Sequence, residues 1–199
     1  VRKQAQAGAA DLAKGSTAGA WPADLSRQLE EVQKQYTVLN TLTATAPSKA
    51  SAAAVAEQAD RMMTAAQTAT ESLEKLARAP SAKLVGMAGR QRMLSQRMAK
   101  QYFLLAAGVD PKASQTQMNA DAAEFKQALQ ALAAAPVSTP AIRTELELGQ
   151  AQWLFFEAAM RRHPDTKGME AVATTSERLL EVMDRLTSLY DAALREVLG

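Results

Sequence analysis

The chain has 199 residues, 22% of them charged, with a formal net charge of +2. That length holds one domain or two small ones, and so slight a positive balance excludes the broad basic surface that general nucleic-acid binding needs. There is no cysteine, hence no thiol catalysis, disulfide or cysteine metal site, and no apolar run approaches the roughly 20 residues of a membrane-spanning helix. Hydrophobic residues make up 47% and aromatics only 5%, so Ala, Leu and Met must build the core, which suits closely packed helices. The chain opens at Val1 without a signal-peptide pattern, and a leader or longer N-terminal segment is expected to have been removed.

In chain order, Val1 to about Lys14 is Ala/Gln-rich and reads as a weakly amphipathic helix, followed by a Gly15–Gly19 loop. Trp21-Pro22-Ala23-Asp24 starts a second helix, with proline tolerated in its first turn. Leu25, Leu29, Val32, Tyr36, Leu39 and Leu42 follow helical spacing there. Pro47 ends it, and Ser48 is an N-cap candidate for a third helix running to about Arg78. Pro80-Ser81 breaks that helix. A fourth runs from about Ala82 to Ala107 and stops at Gly108-Val109-Asp110-Pro111. Lys112–Ala135 and Ala141–Arg162 are further helices, separated by a loop from Pro136 to Pro140. His163-Pro164-Asp165 is a turn, and Thr166–Leu198 is the last long helix. No segment alternates with period two, so the expected class is all-α: an elongated antiparallel bundle.

The chain also repeats itself. A shift of 117 residues carries Ala54-Val55-Ala56 onto Ala171-Val172-Ala173, Arg61 onto Arg178, Pro47 onto Pro164, Gln35-Tyr36 onto Gln152-Trp153 and Leu12 onto Leu129, without a gap. The counterpart of the fourth helix would fall before Val1. The expected organisation is therefore a partial, degenerate three-helix module over 1–80 and a four-helix module over 81–199.

The fourth helix carries the chemistry. From Lys75 to Val109 there is no acidic residue, and the span holds seven cations: Lys75, Arg78, Lys83, Arg90, Arg92, Arg97 and Lys100. At about 100° per residue, Leu84, Met87, Ala88, Gln91, Leu94, Ser95, Met98, Tyr102 and Leu105 share a core-facing side. Gly86, Arg90, Met93, Arg97 and Leu104 form a stripe roughly opposite. Arg90 and Arg97, seven apart, project about 20° from each other. Gly permits close backbone approach and Met fills an irregular seam, so the stripe suits the same helix of a second subunit. Guanidiniums converging there without acids would need an anion, and their planar fork matches an oxyanion. The plainer alternative is that these arginines reach solvent or pair with acids on neighbouring helices.

Ala88-Gly89-Arg90-Gln91-Arg92-Met93-Leu94-Ser95-Gln96-Arg97-Met98-Ala99-Lys100 resembles the signature of the PilJ-type sensor domain, the N-terminal domain of type IV pili methyl-accepting chemotaxis transducers. It is also similar to the sensor domain of nitrate/nitrite sensor kinases. The run from Ala171 to Leu180, with Met183 and Tyr190 after it, resembles the closing helix of the same domain. The resemblance covers about Ser81 to Leu198, and reaches Pro22–Ala79 only through the repeat. It implies an extracytoplasmic four-helix sensor that dimerises and serves chemotaxis or another signalling pathway. It further implies a small anion, nitrate or nitrite, held by arginines at the dimer interface. That role falls on Arg90, with Gly86, Gly89, Gln91, Met93 and Arg97 as neighbours. Many relatives carry Asn where this chain has Gly86, a departure that bears on ligand choice.

No enzyme motif stands against this reading. His163, the only histidine, sits in a turn with no companion at ligand spacing. Trp153, Phe155 and Phe156 read as core. Glu145, Glu147 and Glu157 lack the Glu-x-x-His partners of a helical di-metal site, so neither a metal nor another cofactor is expected. A second reading is a helical interaction module without a small ligand, binding a pilus or receptor partner through a groove that the missing helix leaves open.

Overall fold

The computed structural model describes residues 2–18, 21–77, 80–137 and 139–198. Among them there are seven helices and no strand, so the protein is all-α. The helices are α1 (Arg2–Ala18), α2 (Ala23–Leu42), α3 (Lys49–Ala77), α4 (Pro80–Ala106), α5 (Pro111–Ala133), α6 (Pro140–Met160) and α7 (Thr166–Leu198). They form two compact units, Val1–Ala77 and Arg78–Gly199.

In the second unit the turns have clear chemical causes. Gly108, in the left-handed region at φ 65°, closes α4. Its N–H donates to the Leu105 carbonyl at 3.1 Å and the Val109 N–H to the Leu104 carbonyl at 2.9 Å, the paired bonds of a Schellman motif. Asp110, also left-handed at φ 38°, then caps α5 by accepting from the Ala113 N–H at 3.3 Å, with Pro111 in the first turn. Thr139 caps α6 in the same way through the Ile142 N–H, with Pro140 behind it. Asp165 caps α7 through the Gly168 N–H at 2.9 Å.

Four apolar stripes meet between these helices. α7 contributes Val172, Leu179, Val182, Met183, Leu186 and Tyr190, and α4 contributes Ala88, Leu94, Met98 and Tyr102. Phe125 of α5 stacks on Trp153 of α6, ring centroids 4.6 Å apart. α4 packs closely on both α5 and α7, and α6 packs on α7, whereas α5 and α6 touch only briefly. Two tyrosines tie the ends of the bundle. The Tyr190 hydroxyl donates to the Leu132 carbonyl at 3.0 Å, and that of Tyr102 reaches the carbonyls of Arg162 and His163. Burial pushes both phenols above the usual tyrosine pKa.

The aromatic expectation needs one correction. Trp153 and Phe156 are buried, but Phe155 is 61% exposed, beside Leu154 at 64%. Phe156 follows Trp153 by three residues and shares its face, whereas Phe155 follows it by two and cannot.

In the first unit α2 and α3 form a hairpin around Leu25, Leu29, Val32 and Ala69, with Leu12 of α1 against it. The buried Gln58 amide donates to the Gln35 carbonyl at 3.0 Å. Ser48 and Ser51 cap α3 reciprocally: the Ser51 N–H donates to Ser48 Oγ at 3.0 Å and the Ser48 N–H to Ser51 Oγ at 2.8 Å. The expected loop from Gly15 is instead helical through Ala18, while Gly19 lies outside the described residues. Ser16 and Thr17 hydroxyls donate back to the Ala13 carbonyl at 2.9 and 3.2 Å, satisfying the last turn.

α2 and α6 begin 117 residues apart, at Ala23 and Pro140, and so do α3 and α7, at Lys49 and Thr166. At that offset the burial differs. Val172, Leu179, Leu186 and Tyr190 are sealed, whereas Val55 and Met62 are half-buried and Leu73 is exposed; Ala69, which aligns with Leu186, is buried.

Candidate functional site

The signature residues lie along the middle of α4, and its side chains point in three directions. Ala88, Gln91, Leu94, Ser95, Met98 and Tyr102 face the core, all fully buried. Arg92 and Gln96 reach α7: Arg92 pairs with Asp184, and the Gln96 amide donates to the Ser176 carbonyl at 3.3 Å. Arg90 and Arg97 lean onto α5.

That last contact changes the reading of the arginine stripe. The span is free of acids in sequence, yet α5 brings two carboxylates to it. Arg90 Nε donates to Glu124 Oε1. Arg97 grips Asp121 with two parallel bonds, its Nε lying 2.8 Å from Oδ2 and its Nη2 bonded to Oδ1. Asp121 is 1% exposed at its side chain and also accepts from the Gln117 amide at 2.7 Å. The plainer of the two alternatives, pairing with acids on a neighbouring helix, therefore holds for both arginines. Met93, half-buried, packs against the module's own core.

The two arginines thus differ. Arg97, with an 18% exposed side chain on a buried carboxylate, is a clasp between α4 and α5. Arg90 is 30% exposed opposite a Glu124 that is 38% exposed, a pair of small net stability. Glu124 takes the Nε–H, and a guanidinium carries five donors, so an oxyanion can still approach the terminal amino groups of Arg90. Gly89 is half-buried with room around it: a Cβ there would meet nothing nearer than Thr187 Cγ2 at 3.9 Å. Gly86 is likewise half-buried.

Gln91 is the anomaly. It is 0% exposed, and among the described residues neither its amide nitrogen nor its amide oxygen has a hydrogen-bond partner. An unpaired buried amide costs about 1–3 kcal/mol. Gln91→Leu is therefore expected to raise the stability of the second unit by about 1–2 kcal/mol, read as a later urea midpoint. A lower midpoint would show that the amide has a partner in solution.

Sequence reasoning missed Glu124, Asp121 and Asp184, which lie on other helices. A signal for Asp121 was present, since it sits between Met118 and Phe125 on the apolar stripe of α5. Among the described residues no cluster of three or more His, Cys, Asp or Glu could hold a metal ion, and no helix is long and apolar enough to cross a membrane.

Among curated proteins and solved structures, none matches the chain. The family model described as type IV pili methyl-accepting chemotaxis transducer N-term matches residues 78–179, about half of the chain and most of the four-helix unit. The signature helix, the bundle that carries it and this match together place the chain in the PilJ family, whose domains are sensor and signalling modules of chemotaxis transducers.

Proposed function

We propose that residues 81–199 form an extracytoplasmic sensor module that recognises a small inorganic oxyanion, nitrate or nitrite, between two copies of the chain. Residues 1–80 are then a degenerate partial copy of the same module. The observation that carries the reading is Arg90: a half-buried guanidinium on the family's signature helix, held at Nε by Glu124 and able to offer its remaining donors. Gly86 and Gly89, with Phe103 38% exposed, lie on the arc of α4 turned away from the core centre, and Met93 borders that arc while packing on the module's own core. Small and apolar residues there suit close approach of a second α4. Arg97 and Gln91 support the site from within the module, and the output is a signal passed to a chemotaxis partner.

Titration calorimetry with sodium nitrate tests this on the intact chain. Saturable heat is expected from the parent, at least a tenfold loss in Arg90→Ala, and tighter binding in Glu124→Gln, which removes the competing charge. A folded protein giving no heat with nitrate, nitrite or related oxyanions would sink the reading.

One observation favours a second reading, a protein-binding module. Leu148, Leu154 and Phe155 form an exposed apolar set on α6, 44%, 64% and 61% exposed. Capture of a pilus or receptor component that survives Arg90→Ala and is lost in Phe155→Ser would support it.

A further inference from the structure

The second unit has one poorly closed seam, between α5 and α6. Toward the end where α4 and α6 stop, the seam opens into a cleft of about 420 Å³, within the ~300–1,000 Å³ range of small-molecule sites. Met118, Ala122 and Met160 supply its apolar wall, and Met118 is a buried core residue. Gln115, Asn119, Arg161 and Arg162 supply polar groups. A second cavity of about 300 Å³, lined by Leu129 and Trp153, adjoins it, and Glu157 borders both.

The charges around the cleft are unequally satisfied. Glu157 is neutralised by Lys126 at 3.5 Å and Arg161 at 3.4 Å. Arg162 has no ion-pair partner among the described residues. A cation is favourable beside the C-terminus of α6 for its own sake, so the residue alone means little. Its meaning comes from the cleft: an unpaired guanidinium and two side-chain amides at the mouth of a methionine-lined hollow.

We infer that this cleft is a second ligand site, separate from the α4 arginines, for a small organic carboxylate with an apolar body. The Gln115 amide nitrogen donates to Asn119 Oδ1 at 3.0 Å, so Arg162 and the Asn119 amide nitrogen receive the carboxylate while Gln115 holds Asn119 in place. The body lies on Met118 and Met160, whose flexible thioethers adapt to aromatic or branched groups. A cationic ligand would meet Arg161 and Arg162 at the mouth, and an inorganic oxyanion would leave the apolar wall uncovered. The site stands on its own geometry whether or not nitrate binds at Arg90.

Titration calorimetry of the intact chain with phenylacetate, isovalerate and the neutral phenylacetamide tests it. At least one carboxylate is expected to bind, with phenylacetamide at least tenfold weaker. Arg162→Ala, an exposed side chain whose loss spares the fold, is expected to weaken carboxylate binding at least tenfold. Asn119→Asp, which adds a negative charge at the mouth, should weaken it as well, and Arg90→Ala should leave it unchanged. No heat from either carboxylate at millimolar concentration overturns the inference. So does equal binding of the amide, an unaffected Arg162→Ala, or a loss in Arg90→Ala, which would move the carboxylate to α4.

Discussion

Replacing Arg97 with alanine is expected to cost the second unit about 3–5 kcal/mol, the scale of breaking a buried ion pair from one side. Asp121 would remain 1% exposed, keeping the Gln117 amide but losing both guanidinium bonds. The cost comes less from losing the pair than from stranding its carboxylate. Two comparisons separate these contributions. Arg90→Ala, which leaves the half-exposed Glu124 in contact with water, should cost no more than about 1 kcal/mol. The double variant Arg97→Met with Asp121→Leu should regain most of the loss, because apolar side chains of similar volume replace both charges. Urea unfolding followed by circular dichroism measures all three. An Arg97→Ala protein within 1 kcal/mol of the parent would mean that Asp121 finds water or another partner, and the clasp would lose its structural role.

The second large effect belongs to Gly168→Ala. Gly168 lies in the first turn of α7, where its N–H is held by the Asp165 carboxylate. A Cβ there would overlap the His163 carbonyl oxygen and the Tyr102 hydroxyl. Neither can easily retreat. The Tyr102 hydroxyl donates to the Arg162 and His163 carbonyls at 3.1 and 3.0 Å, and the Asp165 N–H donates to His163 at 2.8 Å. Overpacking of this kind costs about 1–3 kcal/mol, and losing the tyrosine bonds adds about 1 kcal/mol. Gly149→Ala is the natural control. Its Cβ would lie 2.6 Å from Met183 Cε, but that atom is the flexible tip of a methionine, and alanine gains about 1 kcal/mol in helix propensity. A thermal melt should show Gly168→Ala falling well below Gly149→Ala. Equal midpoints would mean that the α6–α7 turn yields more readily than its hydrogen bonds suggest.

Much of the fold was legible because local chemistry and pattern agree. Gly108, Asp110 and Pro111 mark a corner by composition alone, and the spacing of Val172, Leu179, Met183, Leu186 and Tyr190 fixes the buried face of α7. The candidate site was legible by half. Helical angles placed Gln91 and Ser95 in the core with Ala88 and Leu94, and the structure buries all four. They could not show what stands opposite Arg90 and Arg97, because charge balance is settled between helices rather than along one. An acid inside an apolar stripe is the clue that crosses that gap. Asp121 between Met118 and Phe125, and Glu145 between Ile142 and Leu146, each announce a basic partner, and these turn out to be Arg97 and Arg185. Phe155 is exposed despite its aromatic neighbours because it follows Trp153 by two residues, which turns it about 200° away.

The corner between α4 and α5 also decides something that burial cannot. Four amphipathic helices can satisfy their apolar stripes in either of two mirror-related circuits, one winding clockwise and the other anticlockwise, with nearly the same neighbours touching. Two left-handed residues within three positions, Gly108 and Asp110, commit the chain to one exit direction from α4. The corner contributes little buried area, with Gly108 and Asp110 both exposed, and what it supplies is direction.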